Sequence, residues 1–164
     1  MINNEFLIDN GDNIITTTES TNAKKENAII KINTTYISQD DEDVSELITK
    51  GIYRQKGSLT QIIYQDSETT GFYDCETKIT ARNDKFVSIL RRGENIGSDL
   101  MVQCDKKLYS QYTTPVGSIL IGVKASLIEN SFDVDGGRLH MKYTIDMNGS
   151  FVSDNEIDVT VELL

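Results

Sequence analysis

The stretch Arg138-Leu139-His140-Met141-Lys142-Tyr143-Thr144-Ile145-Asp146-Met147 decides the fold. Its odd positions, Leu139, Met141, Tyr143, Ile145 and Met147, are apolar, and its even positions, Arg138, His140, Lys142, Thr144 and Asp146, are polar. A period of two marks a strand with one dry face and one wet face, because successive side chains leave a pleated backbone on opposite sides. Asp135-Gly136-Gly137 precedes the strand and Asn148-Gly149 follows it. Both are hairpin chemistry. The last third of the chain therefore reads as a meander of long antiparallel strands.

Working outward, further strands follow at close spacing. The reading places them at 28–38, 44–55, 58–66, 74–82, 85–92, 99–104, 108–113, 118 to about 134, 138–147 and 151–163. Lys56-Gly57, Asn83-Asp84 and Asp105-Lys106 supply turns, and Thr114-Pro115-Val116-Gly117 fits a type I turn. The long strand after Gly117 is expected to bend or bulge near Gly122 or Asn130. Only Val44–Lys50 admits a helical turn. About ten strands joined by hairpins leave two long edges if the sheet stays flat, and closing the sheet removes them. The expected fold class is all-β, a single antiparallel up-and-down barrel. Residues 1–27, rich in Asn, Asp, Thr and Glu, read as a loosely ordered polar extension. A short hairpin around Asn10-Gly11 is the alternative there. Residues 28–164 form the barrel domain.

The totals narrow the function. The 164 residues suit one domain, and a hydrophobic content of 38% suits a barrel whose strands each show one face to water. A net charge of −10 disfavours nucleic acid and anionic membrane surfaces as partners, and its plain consequence is solubility. The seven tyrosines are not interleaved with Lys and Arg, and there is no Trp, which weakens a single-strand binding reading further. Met1–Asp9 has no basic run and a short apolar one, so a cytoplasmic location with reduced thiols is expected.

The segment from Gly71 to Leu164 resembles the YwiB-like β-barrel family, bacterial proteins of unknown function grouped with lipocalin-like and calycin-like barrels. Thr70-Gly71 stands before a strand carrying Thr77-Lys78-Ile79. Val87-Ser88-Ile89-Leu90-Arg91-Arg92-Gly93 looks like the family's apolar strand closing in Arg-x-Gly, with Arg92 where a small residue is expected. Tyr112-Thr113-Thr114-Pro115-Val116-Gly117-Ser118 looks like its Tyr-x-Thr-x-x-Gly turn. Gly136-Gly137-Arg138-Leu139 into Tyr143, then Asn148-Gly149, looks like its terminal hairpins. Residues 28–68 fit more loosely, through Ile30–Thr35 and Gly51-Ile52-Tyr53. The resemblance implies a closed calycin-like barrel and no established reaction.

Catalytic chemistry finds little support. His140 is the single histidine, and its parity puts it on the polar face beside Arg138 and Lys142, as a solvated side chain. Cys75 and Cys104 are 29 positions apart with no C-x-x-C, which suggests neither zinc nor redox work. Cys104 shares parity with Leu100 and Val102 and reads as a small buried hydrophobe. A Cys75–Cys104 disulfide is the minor reading in a reducing compartment. Asp133-Val134-Asp135-Gly136 echoes a calcium loop, but Ser131 holds the first ligand position and Lys142 the place of the bidentate Glu. Gly117–Lys124 misses the phosphate-loop pattern at Val123 and alternates as a strand. No catalytic residue, metal site or cofactor is assigned.

The barrel mouth is what remains. Arg91 ends an apolar strand: pointing inward it must meet an anion or a buried carboxylate, and pointing outward it snorkels. The outward or structurally paired arrangement is favoured. Tyr112 and Tyr53 join Arg91 as candidate ligand-binding residues. The sequence thus points to a small-molecule binding barrel. The alternative is a non-enzymatic interaction module acting through an outer face, and mixed parity such as Ile29 with Ile30 would suit a homodimer.

Overall fold

A computed structural model of the chain describes residues 7–8, 14–15 and 25–164. Most of the segment read as a polar extension lies outside those residues. Its two described pieces, β1 (Leu7–Ile8) and β2 (Ile14–Ile15), form an antiparallel ladder with Leu7 opposite Ile15. Asn10-Gly11, the turn of the alternative hairpin reading, lies outside the described residues.

Ten strands close into one antiparallel barrel. They are β3 (Ala28–Ile37), β4 (Glu42–Lys56), β5 (Leu59–Gln65), β6 (Glu76–Arg82), β7 (Phe86–Arg92), β8 (Gly97–Gln103), β9 (Leu108–Thr114), β10 (Gly117–Asn130), β11 (Gly136–Met147) and β12 (Ser150–Leu163). Each pairs with the next in sequence, and β12 returns to β3, with Val159 opposite Ile32 and Val161 opposite Ile30. Closure leaves no free sheet end. The up-and-down barrel is as the sequence reading expects. Val44–Lys50, where a helical turn was conceivable, lies wholly within β4.

The turns follow from side-chain chemistry. Asn83, Asp105 and Asn148 adopt positive φ of 51°, 61° and 53°. Asn and Asp tolerate that region better than other L residues. The acidic run Asp40-Asp41-Glu42-Asp43, which falls between the strands read at 28–38 and 44–55, is only partly loop: Ser38 N–H donates to the Asp41 carbonyl at 2.8 Å, and Glu42 and Asp43 already belong to β4.

The bulge falls between the two expected places. Ala125 faces Tyr143 but Leu127 faces Lys142, so Ser126 is the extra residue. Before it, Val123 and Ala125 point into the core; after it, Ile128 does. A one-residue insertion flips the inward parity, which is what lets one long strand stay buried along a curving wall.

Five connections, β3–β4, β5–β6, β7–β8, β9–β10 and β11–β12, lie at one end of the barrel, here called the mouth. The interior away from the mouth is filled by Ile30, Ile62, Ile79, Val87, Ile89, Val102, Leu139, Met141 and Val159, all buried. The opposite end is closed by Phe132, packed on Tyr53 with ring centroids 5.8 Å apart. Asn27, placed by sequence in the extension, is pinned there: its side chain exchanges hydrogen bonds with the Tyr53 backbone at 2.7 and 3.0 Å.

Candidate functional site

The barrel is not filled to its mouth. A cavity of about 580 Å³ opens there between the two halves of the wall. On one side stand Tyr64 of β5, Arg91 of β7, Ser98 of β8, and Ser110 and Tyr112 of β9. On the other stand Ile32 of β3, Ile121 of β10, Tyr143 and Ile145 of β11, and Ile157 of β12. The first wall is rich in hydrogen-bonding groups; the second combines the four isoleucines Ile32, Ile121, Ile145 and Ile157 with polar residues such as Thr34, Ser45 and Asn155. The β5–β6 connection, with a short 3₁₀ turn at Glu68–Thr70 and Gly71 at positive φ, packs against β4 and contributes Phe72 to the rim.

Arg91 points into this cavity. Cross-strand register places Thr77 on one side of it and Ser98 on the other. Its side chain is 14% exposed and Asp66, its partner, is 1% exposed. The sequence argument required an inward arginine to meet an anion or a buried carboxylate, and Asp66 is that carboxylate. The contact is loose: Nε lies 3.5 Å from Oδ2 and has no hydrogen-bond partner among the described residues. Asp66 is instead engaged by other donors. Thr77 Oγ1 donates to Oδ2 at 2.5 Å, and Thr70 Oγ1 and the Ser67 amide donate to Oδ1. These bonds make burial of the carboxylate tolerable. The guanidinium is steadied from above by the Phe72 ring, with Cζ 4.1 Å from its centroid, and Phe72 meets Tyr112 edge-on at 6.2 Å. A cation over an aromatic face is attracted by the ring's negative centre.

The neighbouring hydroxyls stay protonated. Burial pushes Tyr143 up to about 12, with Arg91 opposing the rise only in part. Tyr64 is raised further in the same sense, first by burial and then by the charge of Asp66. The Ser98 hydroxyl is buried and has no partner among the described residues.

Of the three sequence candidates, the structure brings two together. Arg91 and Tyr112 line the cavity. Tyr53 does not, which corrects the expectation that it shares the mouth: it sits at the closed end, its hydroxyl donating to the carbonyls of Asp133 and Gly136 at 2.6 and 3.3 Å. Both residues follow strand parity, but Tyr53 belongs to the far end of β4. Asp66, Phe72, Ser98 and Tyr64 were missed. Parity flags Asp66, which continues the inward series Thr60, Ile62, Tyr64; Phe72 lies in a loop and gives no signal.

His140 lies on the outer wall, as parity predicts, but it is not simply solvated. Its ring sits between Glu156 at 2.6 Å and Glu129 at 3.3 Å and is 16% exposed. That contact holds the Glu156 carboxyl below its usual range. The cysteines are both free. Cys75 lies near the mouth, just before β6, and Cys104 at the closed end, just after β8. Cys104 packs against the core but is only partly buried, less than its parity suggested, whereas Cys75 is buried. Among the described residues no group of three or more His, Cys, Asp or Glu is placed to hold a metal ion, and no helix is long and apolar enough to cross a membrane.

Comparison with known proteins places the molecule. Residues 30–159 match the model of a domain of unknown function, DUF1934, and the chain belongs to that family. The crystal structure of the ywiB protein from Bacillus subtilis superposes with a TM-score of 0.71 at 14% sequence identity, covering 85% of this chain and 92% of that one. The likeness is one of fold. No curated protein matches the sequence.

Proposed function

We propose that this member of the DUF1934 family binds a small molecule in the cavity at the mouth of its barrel, as a carrier or sensor rather than as a catalyst. The observation that carries the reading is an arginine held by loose contacts, facing open space inside an otherwise close-packed barrel. Interiors are packed as densely as organic crystals, so a space of about 580 Å³ is a departure from the norm and lies within the range of ligand pockets. A charged group kept there costs stability, and a ligand gives that cost a use. The single histidine is on the outer wall, engaged by two glutamates, and offers no base to the cavity. The reading puts the protein in the cytoplasm, where Cys75 and Cys104 stay reduced.

Native mass spectrometry of gently purified protein tests this. A stoichiometric adduct that disappears on denaturation is expected. A clean apo mass, repeated with protein soaked in a cell extract of small molecules, contradicts it.

A second reading, an interaction module, is favoured by one observation. The first part of β4 pairs with β3 but not with β5, and its outward Val44 and Ile48 are 67% and 60% exposed. An apolar pair on a half-paired strand suits a protein contact. Sedimentation that shows a dimer in the parent and a monomer in Ile48→Lys would favour it.

A further inference from the structure

We infer that the cavity takes a small amphiphilic monocarboxylate, with its carboxylate on Arg91 and Ser98 and its apolar body against Ile121, Ile145 and Ile157. The inference rests on the small-molecule reading above and adds the class of ligand and its orientation.

Arg91 carries the argument. A buried arginine that serves only structure is normally clasped by a carboxylate through two parallel hydrogen bonds. Here Asp66 spends its oxygens on Thr77, Thr70 and the Ser67 amide and stands 3.5 Å from Nε. Arg91 lines the cavity, and its guanidinium carries the Nη fork that fits a carboxylate. Phe72 covers one face of the guanidinium and so fixes the plane in which a planar anion would meet it.

Ser98 supplies an independent observation. It lies directly opposite Arg91 on the adjacent strand, and its buried hydroxyl has no partner among the described residues. A buried hydroxyl left unpaired is costly and calls for an acceptor. One oxygen of a carboxylate on Arg91 is within the span of neighbouring strands, about 5 Å. Tyr143, which burial pushes up to about 12, adds a hydroxyl rather than a competing negative charge near neutral pH.

The charge count selects a monoanion. Asp66 already offsets part of the Arg91 charge, and one guanidinium with neutral hydroxyls cannot match a doubly charged phosphate. Asp43, Glu68, Asp99 and Glu156 also belong to the lining; they are at least partly exposed, so they act on an entering anion through solvent, where salt screens them over about 8 Å. Opposite Arg91, Ile32, Ile121, Ile145 and Ile157 offer an apolar strip beside the polar Thr34, Tyr143 and Asn155, and that strip suits a hydrocarbon or aromatic body better than a second charged end.

The test is isothermal titration of the full chain with decanoate, decanol and decylamine, which share one tail and differ in the head group. The same series is run on the Asp66→Asn/Arg91→Gln double variant, which leaves neither buried charge alone. Decanoate is expected to bind the parent at least about tenfold more tightly than the other two, as charge-assisted hydrogen bonds imply. In the double variant decanoate is expected to lose its advantage over decanol. Equal or tighter binding of decanol or decylamine to the parent overturns the ligand class and leaves the cavity reading standing. No binding of any of the three also overturns it, and the cavity reading falls with it only if the native mass spectrum is clean as well. The parent's selectivity decides the class even if the double variant does not fold.

Discussion

At the scale of single residues, the site turns on a carboxylate that the alternation hides in plain view. Asp66 continues the inward series of β5 and closes the strand read at 58–66, one residue beyond where β5 ends in the structure, yet nothing in the alternation marks it as a site residue. That an inward Arg91 must find an anion was legible, although the outward or structurally paired arrangement was favoured; which anion was not legible, since the β5–β6 connection folds back in three dimensions only. Replacing Asp66 by Asn strands the Arg91 charge, and urea denaturation is expected to show a loss of about 3 kcal/mol. The Asp66→Asn/Arg91→Gln double variant is expected to lose less than that single variant, because no unpaired charge remains buried. An additive or larger loss would mean that the pair is not coupled. Tyr53 makes the contrasting case. Its hydroxyl ties β4 to the loop after β10, so Tyr53→Phe is expected to cost about 1 kcal/mol in the same assay while leaving ligand binding unchanged. Altered binding would mean that the closed end and the mouth communicate.

At the scale of elements, strand existence was legible throughout and pairing faults were not. The bulge at Ser126 has no sequence mark, because Ala125-Ser126-Leu127 alternates as well as any other triplet. The ladder between β8 and β9 stops early for a similar reason. It runs only from Gly97 to Asp99, after which the Ser110 hydroxyl accepts from the Met101 amide at 2.9 Å, and Cys104 reaches across to Ala125 of β10. This seam is where the wall is held by a side chain in place of a backbone ladder. Ser110→Ala is expected to raise hydrogen exchange at Met101 with little change on the β11–β12 side, and protection that is unchanged would contradict the role given to Ser110. On the outer wall, Arg138 of β11 clamps Asp158 of β12 with hydrogen bonds from Nε at 3.0 and 2.9 Å and a further one from Nη2. That clamp holds the Asp158 carboxyl below its usual range. A depressed carboxylate stabilises the fold above its unfolded value, about 3.9, and the contribution is lost as pH falls through the lower folded value. Asp158→Asn is therefore expected to be less stable at neutral pH and to show a flatter decline in acid. Parallel pH–stability curves for parent and variant would show that the clamp is not linked to protons.

At the scale of the whole molecule, closure was legible as an inference from edges: ten sequential strands have nowhere to end except on each other. What closure leaves empty was not legible, because alternation reports which way a side chain points and not whether opposing side chains meet. Ile121, Ile145 and Ile157 read as ordinary core positions, and the structure places them across a cavity from Arg91. Removing residues 1–24 keeps Asn27 and its bonds to Tyr53, so the truncated chain is expected to melt as the parent does. A large drop in the melting temperature would show that this segment supports the barrel. The central claim is that the Arg91 guanidinium receives a ligand from inside the barrel, and the Arg91 Nε–H resonance reports on that contact directly. In a ¹H–¹⁵N titration with decanoate, the account predicts a saturable shift of that resonance together with the backbone amides of Ser98 and Ile157, and no shift at Val44 or Ile48. An unmoved Arg91 signal, with shifts confined to the outer face of β4, would contradict it.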